Sequence, residues 1–208
     1  MSGCAICGSE QISAAPPPLL LPGGRIDFCP NCGVGSTRAL DGGYAGEDPA
    51  NAARYALLNR LNIYFGRRTE FLRRYEQSFS LIRSVGSPAS VLDVGCSIGY
   101  WLDFLGRKGL VCTGVEPDRS CRDFGRTVFA LNIHETLQEC RGKYDLISLS
   151  DVLEHIRNPL EFLQKISDLA SPGALYFIQL PNCGSDMARR LGKNWPWWSV
   201  PDHLWHFS

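Results

Sequence analysis

Residues Val91–Trp101 read VLDVGCSIGYW. Val91, Leu92 and Val94 form a short apolar run interrupted by Asp93, a turn with Gly95 and Gly99 follows, and Tyr100–Leu105 has helical spacing. The pattern predicts strand, tight turn, helix. Glycines in such a turn let the backbone approach a ligand, because no Cβ intervenes, and the helix start offers unpaired N–H groups. A tight turn without a ligand uses the same glycines, so the next strand carries the weight. Leu110–Val115 is apolar and ends in Glu116-Pro117-Asp118. An acid at the tip of the second strand, about 20 residues past the first glycine, suits the two hydroxyls of a ribose.

The dinucleotide fingerprint G-x-G-x-x-G fails here, since Ser97 and Tyr100 stand at its second and third glycine positions. No G-x-x-x-x-G-K-[ST] phosphate loop occurs in the sequence. NAD and ATP are therefore disfavoured. The stretch instead resembles motif I of the class I S-adenosylmethionine-dependent methyltransferases, an acid followed by alternating glycines. Asp93, Gly95 and Gly99 match it, and Ser97 replaces the middle glycine. The resemblance implies S-adenosylmethionine as cofactor, held by Asp93, Gly95, Cys96, Ser97 and Gly99, with Glu116 as the ribose-binding acid.

The alternation continues downstream. Val111–Val115 is the second strand, Arg119–Arg126 a short helix, Val128–His134 a third strand and Tyr144–Ser150 a fourth. Leu160–Ala170 is amphipathic and is closed by Ser171-Pro172-Gly173, and Ala174–Leu180 is a fifth strand. Short apolar strands alternating with helices imply a parallel sheet covered on both faces, with ligands at the carboxyl ends of the strands.

Asp151-Val152-Leu153-Glu154-His155 follows the fourth strand, which aims its polar residues at the expected cleft. A helical segment there would place Asp151 and His155 one turn apart on one side. Together with Tyr144-Asp145-Leu146-Ile147, Asn158-Pro159, Ser171-Pro172-Gly173 and Leu180-Pro181-Asn182, this segment is similar in order and spacing to small-molecule O-methyltransferases of the ubiquinone-biosynthesis type. The resemblance covers residues 87–208. It implies alignment of an acceptor for in-line displacement at a sulfonium methyl. His155 is the candidate base for an alcohol acceptor, with a helix-capping role as the plain alternative. Glu154 would orient the histidine, help hold a divalent ion or position the acceptor. Asp151 would line the cofactor side.

The remainder is organised around this domain. Cys4-Ala5-Ile6-Cys7-Gly8 and Cys29-Pro30-Asn31-Cys32-Gly33 are two matching knuckles about 20 residues apart, the spacing of a zinc ribbon. Four thiolates favour a tetrahedral structural zinc and leave no open catalytic position. Ala14–Gly24 reads as a loop with polyproline character at Pro16-Pro17-Pro18. Asp48-Pro49 reads as an N-cap and first helical residue of a connector, in which Phe71, Leu72, Tyr75, Phe79 and Ile82 share one face. Arg67, Arg68, Arg73 and Arg74 read as a solvated face before a phosphate patch. The expected organisation is thus a zinc ribbon over 1–45, a helical connector over 46–86 and a methyltransferase domain over 87–208. The overall class is α/β: a Rossmann-like, mostly parallel sheet with helices on both faces.

The tail Asn194–Ser208, NWPWWSVPDHLWHFS, holds every tryptophan but Trp101. It divides between core packing and an aromatic acceptor wall with His203 or His206 as polar contacts. The resembling enzymes continue beyond this stretch with a helix and two strands, so the sheet is expected to lack its last strands.

Composition sets the outer bounds. Lys and Arg number 21, as do Asp and Glu, so no global field draws the chain to nucleic acid or anionic lipid. No apolar run approaches the roughly 20 residues of a membrane span. Five scattered cysteines, Cys96, Cys112, Cys121, Cys140 and Cys183, read as buried thiols of a reducing compartment, and the cytoplasm is expected. The reading is a methyltransferase acting on a small-molecule acceptor, such as a sugar or a biosynthetic intermediate, at oxygen. Its rivals are an RNA methyltransferase whose ribbon grips substrate, and a non-catalytic adaptor with a relic fold.

Overall fold

A computed structural model describes residues 4–10, 18–39 and 49–208, with side chains described over 4–10, 18–38 and 57–208. Pro16, Pro17 and the Asp48 cap lie outside the described residues. The strands are β1 Leu19–Leu21, β2 Gly24–Phe28, β3 Gly35–Ala39, β4 Ser90–Val94, β5 Val111–Val115, β6 Asn132–His134, β7 Tyr144–Ser150, β8 Ala170–Gln179 and β9 Trp205–His206. The helices are α1 Pro49–Gly66, α2 Arg68–Val85, α3 Tyr100–Arg107, α4 Arg119–Val128, α5 Pro159–Ser167 and α6 Asp186–Leu191. Two compact units emerge: residues 46–150 with 165–178, and residues 1–45 with 151–164 and 179–208.

The larger unit is the α/β fold. Its sheet has the order β6-β5-β4-β7-β8, and β4 pairs in parallel with both β5 and β7. The chain runs outward from β4 to β6 and returns to β7 on the other side of β4. That reversal is the place where open α/β sheets bind ligands, beyond the carboxyl ends of the strands. Consecutive residues Val91, Leu92, Asp93 and Val94 are all buried, so both faces of β4 are covered. The expected face of α2 packs as read: Leu72, Tyr75, Phe79 and Ile82 join a core with Trp101, Leu102, Phe104 and Leu105 of α3. Tyr75 lies 4.8 Å from Trp101 and 5.6 Å from Phe104, centroid to centroid. Each such aromatic pair adds about 0.5–1.5 kcal/mol beyond its burial.

Three boundaries differ from the sequence reading. Helix α4 continues to Val128, so β6 is only Asn132–His134, paired with β5 over Thr113–Val115. Strand β8 starts at Ala170 and runs through Ser171-Pro172-Gly173, where Gly173 takes φ +78°; the expected helix stop is an irregularity inside the strand. The stretch read as a loop over 14–24 contains β1. Leu21-Pro22-Gly23-Gly24 closes a hairpin in which Leu21 faces Gly24 and Gly23 has φ +89°, the Pro-Gly chemistry of a type II turn.

The smaller unit is a four-stranded sheet, β1-β2-β3-β9. Its first three strands carry the two cysteine knuckles on their flanks, and its fourth is the tail dipeptide Trp205–His206, antiparallel to Gly35–Ser36. Ile26, Trp195, Trp198 and Ala188 form its core. Most of the tryptophan tail is thus packing: Trp195 and Trp198 are buried, whereas Trp197 is 52% exposed.

Candidate active site and cysteine cluster

At the carboxyl end of β4 the chain turns through Gly95–Gly99. The N–H groups of Gly95 and Cys96 both donate to the Val115 carbonyl, at 2.8 and 3.1 Å, which pins the turn to the end of β5. Gly99 has φ +80° and immediately precedes α3. That left-handed φ favours glycine, and a Cβ there would also force Leu131 to move. Ser97, at the family's middle-glycine position, also takes a left-handed φ of +53°, a conformation that costs an L-residue about 1–2 kcal/mol.

Glu116 closes the arrangement. Its Oε2 accepts the Ser97 N–H at 2.8 Å and its Oε1 accepts the Asp118 N–H at 2.8 Å. The acid of the second strand is therefore brought against the glycine turn of the first, as the spacing predicts. Each carboxylate oxygen retains a lone pair for a ligand hydroxyl. Asp93 is fully buried and accepts the Ser148 hydroxyl at 2.5 Å, joining β4 to β7. Burial drives its pKa up to about 7, opposed by Ser148 and reinforced by Glu116. Cys96 is buried, and burial raises its thiol pKa; the backbone of Cys96, not its sulfur, serves the turn. Glu135 pairs with Arg122 at 2.9 Å.

Two residues here carried no signal in the sequence. Ser148 sits in an apolar strand, and only pairing with β4 brings it to Asp93. Arg60, from α1, reaches Ser97 Oγ at 3.2 Å, Cys121 Sγ at 3.3 Å and Glu116 Oε2 at 4.0 Å. Nothing local distinguishes it from the neighbouring arginines. Of those, Arg67 holds Glu70 at 2.7 Å and Arg74 lies over Phe71 at 5.8 Å, ordinary surface pairings.

In the smaller unit, the segment after β7 is not the helix that would align Asp151 with His155. Asp151 takes φ +55°, and only Leu153–His155 forms a single 3₁₀ turn. A residue in left-handed backbone breaks the helical repeat, so the one-turn relation is not made. Instead Glu154, 1% exposed, meets two histidines: one ligating atom each of Glu154, His155 and His203 lies within 4.8 Å of the others. The tail is strapped beside this turn, with Leu204 N–H donating to the Glu154 carbonyl at 2.7 Å and Trp205 Nε1 to the Ile156 carbonyl at 2.8 Å. On its other side Thr37 of β3 donates to the His203 carbonyl at 2.6 Å and lies 2.9 Å from His206 Nε2. Burial raises the Glu154 pKa and lowers that of His203; burial also takes His206 down to about 4.

The cysteine knuckles close on each other. Cys4, Cys7, Cys29 and Cys32 place their sulfurs within 4.8 Å of one another, and the Cys4–Cys32 and Cys7–Cys29 pairs are both 3.8 Å apart. A zinc with Zn–S bonds of about 2.3 Å sets the edge of a regular tetrahedron at about 3.8 Å, so the donor set and its spacing fit zinc. The knuckles are built alike: Gly8 and Gly33 N–H donate to Cys4 and Cys29 carbonyls, both at 2.9 Å, with φ of +71° and +74°. The Asn31 amide on Cys7 Sγ takes that thiol down to about 6, towards the thiolate a metal requires.

Known proteins bear on the larger frame. A ubiquinone biosynthesis O-methyltransferase from Shewanella pealeana is 30% identical over 102 residues, 44% of this chain. A counterpart from Coxiella burnetii is 30% identical over 101 residues. The chain spans 43% of the length of each of these relatives. Among solved structures, a sugar N-methyltransferase from a Streptoalloteichus species has TM-score 0.53 at 19% identity, covering 71% of this chain and 60% of its own. The plantazolicin methyltransferase BpumL, in complex with a monoazolic desmethylPZN analog and SAH, has TM-score 0.51 at 20% identity, covering 70% of this chain and 58% of its own. These two likenesses are of fold. A family model described as a methyltransferase domain matches residues 64–208, and the chain belongs to that family.

Proposed function

We propose that the protein transfers a methyl group from S-adenosylmethionine to a hydroxyl of a small-molecule acceptor, with a structural zinc on Cys4, Cys7, Cys29 and Cys32. The observation that carries the reading is the Ser97–Glu116 contact, 2.8 Å from backbone N–H to carboxylate. It joins an acid at one strand end to the glycine turn at the next, the arrangement that suits a ribose held beside a helix start. The two O-methyltransferase relatives and the sugar-modifying structural neighbour support a small acceptor.

The bound donor would supply the electrophilic methyl. Glu116 is the acceptor for ribose hydroxyls, and Gly95, Cys96, Ser97 and Gly99 present backbone rather than bulk. Asp93 holds β4 and β7 in register. Asp151 belongs to the cofactor side in this reading. Glu154 and His155 promote loss of the proton from the acceptor hydroxyl, which is a poor nucleophile until that proton leaves. Ribbon, connector and methyltransferase segments over 1–45, 46–86 and 87–208 are the proposed functional divisions. A reducing, cytoplasmic setting is the proposed location. Among the described residues no helix is long and apolar enough to cross a membrane.

The test is transfer of labelled methyl from S-adenosylmethionine to a panel of sugars, phenolic intermediates and RNA. Labelling of a hydroxyl compound that falls at least tenfold in His155→Ala supports the proposal. Labelling confined to RNA, or none across the panel by a chain that binds the donor, contradicts it.

A further inference from the structure

The tail segment Asp202–Trp205 is held from two sides. Towards the turn after β7, the Asp202 carbonyl lies 3.0 Å from His155 Nδ1, the Leu204 N–H donates to the Glu154 carbonyl at 2.7 Å, and Trp205 Nε1 donates to the Ile156 carbonyl at 2.8 Å. Towards β3, the Leu204 carbonyl accepts the Thr37 N–H at 3.0 Å and the His203 carbonyl accepts the Thr37 hydroxyl at 2.6 Å. A carbonyl only accepts, so these contacts fix where the hydrogens sit. His155 carries its hydrogen on Nδ1, and the neutral ring leaves Nε2 as a bare lone pair. Thr37 has one hydroxyl hydrogen and spends it on His203, so its oxygen accepts from His206 Nε2, 2.9 Å away. Burial keeps His206 neutral, with its pKa taken down to about 4, so a hydrogen on Nε2 leaves its Nδ1 bare.

Strand pairing does not need that hydroxyl. Strands β3 and β9 are already joined at Gly35–His206 and Ser36–Trp205, and the Thr37 N–H extends the ladder to Leu204. A valine has the same branched shape and would keep those bonds. What the hydroxyl adds is a hold on the His203 carbonyl, which is next in the chain to the Asp202 carbonyl on His155. We infer that Thr37 is a positioning residue of the acceptor site: by fixing the tail, the sheet that carries the cysteine knuckles sets the tautomer and aim of His155. The plain alternative is a threonine that only fills a strand position. The effect on rate rests on the methyl-transfer reading, in which the proton of the acceptor hydroxyl needs a lone pair on the ring nitrogen that Asp202 does not engage. Misplacing a reacting group by about 1 Å can cost about a hundredfold in rate. The hold on the ring does not depend on that reading.

The test uses the full zinc-loaded chain with nitrogen-15 in its histidines, beside Thr37→Val and Thr37→Ser. In the parent at mildly alkaline pH, NMR should show His155 protonated at Nδ1 and His206 at Nε2. A His155 with its hydrogen on Nε2 overturns the inference before any variant is made. In folded Thr37→Val the two His155 nitrogens should move towards the averaged shifts of exchanging tautomers. Its kcat for methyl transfer should fall by about tenfold or more, with KM for S-adenosylmethionine within about twofold of the parent. Thr37→Ser keeps the hydroxyl and should recover most of the lost rate. Unchanged His155 shifts or an unchanged kcat in Thr37→Val overturns the inference, and so does a loss of rate that serine does not recover. Altered His155 shifts in Thr37→Val, when even the parent transfers methyl to no hydroxyl compound, would leave the hold on His155 standing and remove the methyl-transfer reading.

Discussion

Glu116 and Glu154 are both buried carboxylates close to the end of a parallel strand, and they are satisfied in opposite ways. Glu116 receives two backbone N–H groups from residues near it in the fold's first two turns. Glu154 has no donor and faces two imidazoles, one of them 49 positions further along the chain at His203. The first site is complete in its own strand–turn–helix grammar. The second is assembled by the tail Pro201–Phe207, which enters the smaller sheet as β9. The first site is read from neighbouring turns, whereas the second is visible only once the tail brings His203 beside Glu154.

The comparison can be broken most sharply at the cysteine cluster, because β3 follows directly on the second knuckle and carries Thr37, which donates to the His203 carbonyl. A structural zinc contributes about 10–16 kcal/mol in small zinc-dependent folds. Cys29→Ser, or a strong chelator, should therefore disorder the smaller unit. Tryptophan fluorescence reads this directly, since Trp195 and Trp198 pack on Ile26 there. A chelated chain that keeps its native emission would detach the zinc from the fold.

His155→Ala sharpens the contrast next. Methyl transfer should drop by about 10²–10⁴-fold, while S-adenosylmethionine binding stays within about twofold as measured by calorimetry. Loss of donor binding in this variant would mean that the two sites are not separable.

Asp93 gives a pH-dependent test. Its folded pKa of about 7 lies above the ordinary 3.8, so the folded state holds a proton that the unfolded state gives up. The associated stability is fully present below about pH 4 and is lost as pH rises through 7. Asp93→Asn should flatten the dependence of Tm on pH across that window. An unchanged slope would place the raised pKa elsewhere. The smallest effect is at Ser97. Ser97→Gly relieves the left-handed φ of +53° and should raise stability by up to about 1 kcal/mol, read as a small rise in the urea midpoint.

Much of the larger unit was legible because its signals are local. The apolar-rich stretches of β4, β5 and β7 end at Gly95, Glu116 and Asp151, so their carboxyl limits are marked by the next residue in the chain. The Leu21-Pro22-Gly23-Gly24 hairpin was missed, because the proline- and glycine-rich stretch around it reads as a loop and hides the three leucines that pair with β2. The short β6 was overextended because Val128 completes α4 and leaves only three residues to pair with β5. Ser148 and Arg60 carry nothing in their own neighbourhoods that marks them, since their partners lie 55 and 37 positions away. The same holds for His203: its pattern suggested a polar contact, and only the strapping of the tail against Leu153–His155 shows which group it meets.

The most direct measurement is calorimetric titration of S-adenosylmethionine and its demethylated product into the zinc-loaded chain, beside Glu116→Ala. A charge-assisted hydrogen bond is worth about 1.5–3 kcal/mol, so the account predicts saturable binding of both ligands, weakened about 10–150-fold by the substitution. Equal binding by both proteins, or no binding by a folded parent chain, would contradict the assignment of the β4–β5 strand ends as the donor site.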